Sequence, residues 1–108
     1  MKKIGFIGSG NMASAIMGGI IKKGVFTPEQ IIASDLSEAA RKRVADQLGV
    51  SVTDCNKSVV EEAEVVVLSV KPQYYEAVIG DIKDSVTVNQ IIITIAPGWT
   101  LEKVLNLF

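Results

Sequence analysis

Three groups of residues in this chain have types and spacing that could do chemistry: Gly8-x-Gly10-x-x-Ala13, Asp35, and Ser69-Val70-Lys71-Pro72. The glycine group follows the apolar run Ile4-Gly5-Phe6-Ile7 without a linker and opens a helix. Strand, turn and helix in that order carry the fingerprint of a dinucleotide-binding unit. Gly8 permits the tight turn, Gly10 lets the backbone approach a pyrophosphate, and Ala13 keeps the helix close to the strand. The unpaired N–H groups of the helix start, at the positive end of its dipole, suit a phosphate anion. Asp35 ends a second apolar run, 22 positions beyond Ala13 (35 minus 13). That is close to the roughly 20-residue spacing of a ribose-binding carboxylate. A bare α/β domain whose glycines only make a turn is the bland alternative, and the strand–helix context with Asp35 weighs against it.

Other chemistries are excluded by what is missing. The chain has no histidine and one cysteine. Ser-His-Asp triads, histidine acids, internal disulfides and multi-cysteine metal sites are therefore out. Cys55 reads as a small apolar filler near a turn ahead of a reactive thiol. Lys71 is the one ionisable group in its segment, and it reads as a positioning or strand-end residue ahead of a proton donor.

Composition sets the frame. The 108 residues suffice for one compact domain, expected over 1–108, and are too few for two ordinary ones. With 48% hydrophobic and 21% charged residues the chain reads as globular and soluble. A net charge of −1 gives no case for nucleic acid or an anionic membrane. No apolar stretch approaches a membrane span and no signal peptide is visible. With a single cysteine, a cytoplasmic location is the simplest expectation.

Strand-like and helix-like segments alternate, which predicts an α/β fold with a doubly wound parallel sheet. Helix is expected over about 11–23, with Met12, Ile16 and Ile20 as its buried stripe and Gly18-Gly19 packed close on the sheet or a plain irregularity. Thr27-Pro28 has the flavour of a helix start. Strand 31–35 precedes a helix from about Ser37 to Leu48, stopped by Gly49, with Leu36, Ala40, Val44 and Leu48 on one face. Arg41, Lys42 and Arg43 read as a solvated face, with contact to a cofactor phosphate as the sharper alternative. A short strand over 50–52 follows. Asn56 then caps a helix of about 57–63, with Ser58-x-x-Glu61 as a competing capping box. Two buried strands are expected over 65–70 and 91–95, with a helix carrying Tyr75, Val78, Ile79 and Ile82 between them. Thr100 would cap a last helix whose stripe is Leu101, Val104, Leu105 and Phe108. No repeat, linker or low-complexity tract is present.

Ile4 to Ala13, Ser69-Val70-Lys71-Pro72-Gln73 and Ile95-Ala96-Pro97-Gly98 closely resemble the N-terminal domain of pyrroline-5-carboxylate reductase, in one register over essentially the whole chain. The segment Val70 to Gln73 is the most specific part. The resemblance implies a Rossmann-type domain that binds NADPH or NADH for reduction of 1-pyrroline-5-carboxylate to L-proline, in a full-length protein that is a homo-oligomer. It also implies a helical C-terminal domain that completes the substrate pocket and is expected to be absent from this chain. By position, Ile7, Gly8, Ser9, Gly10, Asn11 and Met12 would contact the pyrophosphate. Asp35 and Asn56 would serve the adenosine side. Ser69, Val70, Lys71 and Pro72, with Ile95, Ala96, Pro97 and Gly98, would line the nicotinamide half.

Two residues depart from the family pattern. Pro97 stands where a small alanine is usual and removes a backbone N–H, and Trp99 beside it is bulky. Asp35-Leu36-Ser37 lacks an arginine directly after its strand, which predicts tolerance of both cofactors, with a free Asp35 carboxylate repelling a 2′-phosphate and Arg41 or Arg43 partly offsetting it. A cyclic imine can be protonated before hydride arrives, so the missing histidine is compatible with this chemistry. Another nicotinamide-dependent dehydrogenase, or a nucleotide-binding module without turnover, are the competing readings.

Overall fold

The structure, a computed structural model, describes residues 2–95. Five parallel strands lie in the order β3-β2-β1-β4-β5, with β1 spanning Lys2–Ile7, β2 Ile31–Ser34, β3 Ser51–Thr53, β4 Ala63–Leu68 and β5 Ile91–Thr94. The helices are α1 (Asn11–Lys22), α2 (Glu38–Leu48), α3 (Asn56–Glu62) and α4 (Tyr75–Ile82). This is the expected doubly wound, Rossmann-type sheet. The order reverses at β1, because β2 pairs on one side of it and β4 on the other. That reversal opens a crevice at the carboxyl ends of the strands, where ligands bind in open α/β sheets.

Strand side chains alternate between faces, and the core divides accordingly. Ile4, Phe6, Ile31, Ala33 and Val67 pack with Ala13 and Met17 of α1 and Val44 of α2. Ile7, Ile32, Val66 and Leu68 pack on the other face with Val59 and Val60 of α3 and Tyr75, Ile79 and Ile82 of α4. Gly5 lies under α3, so close that a Cβ there would overlap Val59 Cγ1.

Several boundaries differ from the expectations. Met12 is 57% exposed; Ile16 and Ile20 are partly buried against the core as expected, beside the fully buried Ala13 and Met17. A Cβ on Gly19 would meet nothing within 4 Å, and one on Gly18 only Leu48 Cδ2 at 3.8 Å, so the pair does not pack on the sheet. Val50 precedes β3 instead of opening it, although it is buried. Ala63 begins β4 instead of ending α3, and Ser69 and Val70 lie beyond the strand. β5 is not a fully buried strand. It is an edge strand among the described residues, with Ile91 and Ile93 exposed. The helix expected after Thr100, its stripe Leu101, Val104, Leu105 and Phe108, and the departures Pro97 and Trp99 lie outside the described residues.

Two stops and starts follow the sequence closely. Gly49, at φ 72°, ends α2 in the left-handed conformation that favours glycine. Thr27 and Gln30 form a reciprocal capping box around a short 3-10 turn, Pro28–Gln30.

Candidate functional site

The ends of β1, β2 and β4 surround a groove of about 680 Å³. The turn after β1 contributes Ile7, Gly8 and Gly10. The end of β2 contributes Ser34, Asp35, Leu36 and Ser37, with Asn56 from the start of α3. Ser69, Val70 and Lys71 come from the segment after β4, and one face of α4 closes the other side.

The two glycines of the turn are needed for different reasons. Gly8 has φ +102°, and a Cβ there would come within 3.0 Å of Ser69 O and of Val70 Cγ1. The fold itself demands glycine at this position. Gly10 has φ −72° and ψ −171°, open to any residue, and a Cβ on it would meet nothing within 4 Å. Packing places no demand for glycine there.

Gly10 is also the N-cap of α1, and no side chain caps that helix. The first N–H groups of a helix have no partner within it. No acidic residue stands in the first turn to offset the positive end of the helix.

The turn is tied to both neighbouring strands. Gly8 N donates to Ser34 O at 2.9 Å, and Ser69 N donates to Ile7 O at 3.0 Å. Ser69 Oγ lies 2.9 Å from Ile7 O and 2.8 Å from Gly8 O. Ser9 is fully buried rather than lining the groove. Its hydroxyl donates to Ser34 O at 3.0 Å, and its N–H to Asp35 Oδ2 at 3.0 Å. Asp35 Oδ1 accepts from Ser37 N at 2.8 Å. The Asp35 carboxylate is therefore not free: each oxygen already holds a backbone N–H.

Of the residues expected to form a site, the structure brings Ile7, Gly8, Gly10, Asp35, Asn56, Ser69, Val70 and Lys71 to one groove. Asn11 and Met12 are exposed in the first turn of α1, and Pro72 begins the 3-10 turn before α4. Ile95 packs against the core on the α1 and α2 face. Ala96, Pro97 and Gly98 lie outside the described residues. Asn56 does not cap α3 as expected. It is the first residue of that helix, and its Oδ1 accepts from Ser34 Oγ at 2.7 Å. Cys55 occupies the N-cap position instead, exposed rather than filling the core. Hydrogen bonds from the Ser58 hydroxyl and then its backbone N–H hold the Cys55 pKa below that of an ordinary thiol.

Sequence reasoning missed part of the groove. Leu36 was expected on the buried face of a helix but is 88% exposed at the mouth of the groove. Tyr74, Ala77, Val78 and Asp81 form the α4 side. Their spacing of three, four and seven from Tyr74 marks one helical face, a signal legible beside the core face Tyr75, Ile79 and Ile82. The basic cluster is not simply solvated. Arg41 Nη1 donates to Asp35 O at 2.8 Å, and Arg43 Nη2 to Ser9 O at 3.1 Å.

The sequence profile of the family described as "NADP oxidoreductase coenzyme F420-dependent" matches residues 3–98. The chain belongs to this family. The chain is 43% identical over 101 residues to a pyrroline-5-carboxylate reductase of Methanosarcina acetivorans, covering 94% of this chain and 37% of that protein. It is 36% identical over 100 residues to a pyrroline-5-carboxylate reductase of Arabidopsis thaliana, covering 93% and 36%. A solved pyrroline-5-carboxylate reductase from Coxiella burnetii superposes with a TM-score of 0.91 at 33% identity, over 98% of this chain and 39% of that one. The chain thus spans a little over a third of the length of the curated relatives it matches.

Proposed function

We propose that this chain is the nicotinamide-dinucleotide-binding part of a cytoplasmic, homo-oligomeric pyrroline-5-carboxylate reductase, which reduces 1-pyrroline-5-carboxylate to L-proline with NADPH or NADH. The observation that carries the proposal is the start of α1. An uncapped helix N-terminus opens beside Gly10, a glycine that the fold does not need. A pyrophosphate is the anion such a start favours. The names of the curated relatives supply the reaction. Among the described residues no helix is long and apolar enough to cross a membrane, and no acidic, histidine and cysteine cluster could hold a metal ion.

The groove residues support this reading. Gly8 and Gly10, with the first turn of α1 at Asn11 and Met12, would take the pyrophosphate. Asn56 would take the adenosine half, with Leu36 beside it and Asp35 behind it, tied to the turn through Ser9. Ser69, Val70, Lys71 and Pro72, then Ile95, Ala96, Pro97 and Gly98, would border the nicotinamide. The bound dinucleotide supplies hydride to the imine carbon, and the ring nitrogen carries the proton. The task of these residues is orientation, which alone supplies several kcal/mol when the reacting atoms are held about 3–3.5 Å apart. Lys71, exposed beside the groove, serves here as a positioning group.

Two measurements test the proposal. Calorimetric titration should give saturable binding of NADPH and NADH to the chain. Oxidation of either cofactor with added pyrroline-5-carboxylate should be fast for the protein extended to the length of its relatives and nearly absent for residues 1–108 alone. Absence of cofactor binding, or equal turnover by the two forms, would refute it.

A further inference from the structure

The Gly8–Ser9 peptide plane, at the edge of the groove, is held from both sides. A trans peptide is planar, with its C=O and N–H pointing in opposite directions. Its carbonyl, Gly8 O, accepts from Ser69 Oγ at 2.8 Å on the β4 side. Its N–H, on Ser9, is held by Asp35 Oδ2 at 3.0 Å on the β2 side. Gly8 is the residue about which this plane would turn most freely, since glycine populates positive and negative φ about equally. The following plane is fixed as well, because Ser9 O accepts from Arg43 Nη2 at 3.1 Å and so aims the Gly10 N–H the other way.

Ser9 itself is fully buried, so its N–H is not offered to a ligand. The amides left for a pyrophosphate are those from Gly10 onward, and their direction depends on the planes before them. We infer that Asp35 is a positioning residue for the glycine turn: its carboxylate sets cofactor affinity by holding the Ser9 N–H against the pull of Ser69, and not through the adenosine ribose hydroxyls. Its second oxygen, on Ser37 N at 2.8 Å, anchors the carboxylate for that task. The inference rests on the dinucleotide reading and deepens it.

The test is a binding cycle by calorimetry on the extended protein, with NADH and its analogue carrying 2′,3′-dideoxyadenosine. Asp35→Ala should weaken both ligands by the same factor, about tenfold, the size expected for losing a hydrogen bond to a charged group. Asp35→Asn keeps one acceptor oxygen and should recover part of that loss for both ligands. Ser69→Ala releases the other end of the same plane, so its loss combined with Asp35→Ala should be smaller than the product of the two single losses. A loss confined to NADH, with the dideoxy analogue bound equally by both proteins, would overturn the inference and make Asp35 a ribose ligand. No loss for either ligand would overturn it too. If the unaltered protein binds neither ligand, the dinucleotide reading falls first, a distinguishable result. Circular dichroism confirms folding, and Asp35→Asn keeps the test decisive if Asp35→Ala does not fold.

Discussion

Of the helices that start at the carboxyl edge of the sheet beside the groove, α1 and α2 are finished differently. The start of α2 is closed by the protein itself: Ser37 Oγ accepts from Ala40 N at 3.2 Å, Asp35 Oδ1 accepts from Ser37 N, and Glu38 stands in the first turn. The start of α1 has a glycine at the N-cap, no side-chain cap and no acidic residue. Helix starts in one chain meet the same physics, since each leaves four N–H groups without intrahelical partners. The difference therefore says what each start is for. One is closed within the fold, and the other is open to the anion we propose for it.

The comparison breaks most visibly if α1 is finished like α2. Gly10 already has the extended conformation of an N-cap, so Gly10→Asp should cap the helix and leave stability unchanged or raise it by about 0.3–1 kcal/mol. The same carboxylate would occupy the anion's place. Cofactor affinity should fall at least a thousandfold, about 4 kcal/mol, in calorimetric titration. Retained binding would mean the pyrophosphate sits elsewhere.

Gly8→Ala sharpens the contrast between the two glycines. It should cost about 2–4 kcal/mol of stability in denaturant unfolding, from the positive φ and the crowding against Ser69 O. Its effect on binding should follow from that damage.

At α2, Ser37→Ala removes the cap and should cost about 1 kcal/mol, read as a lowered midpoint of thermal unfolding. The smallest effect is expected at α3. Because hydrogen bonds from Ser58 favour the Cys55 thiolate, the alkylation rate should rise at lower pH than for an ordinary cysteine, and Ser58→Ala should shift that profile back upward.

The alternation of elements was legible because apolar periods of two and 3.6 are written directly into the chain. Gly8, Gly10, Asp35 and Val70 could be read as a groove because turn chemistry and strand ends are local signals. What escaped was set by tertiary geometry. Leu36 looks like one more member of the α2 stripe, yet the chain has not begun to coil there, and the side chain is left at the groove. Asn56 has the composition of a cap, but Ser34 on another strand claims its oxygen. The bonds that tie Asp35 to Ser9 and Arg43 to Ser9 span 26 and 34 residues, and no local pattern announces them. Ile91 and Ile93 share one face of β5 and are exposed there, which a run of isoleucines does not encode.

Gly5 gives the fold a tuning point far from any ligand contact. Because α3 rests where only a hydrogen fits, a side chain at position 5 would lift that helix from the sheet and carry Asn56 with it. Selection on the shape of this wall of the groove need not act on the groove residues at all. A change in the middle of β1 would widen the opening as a shim does under a hinge.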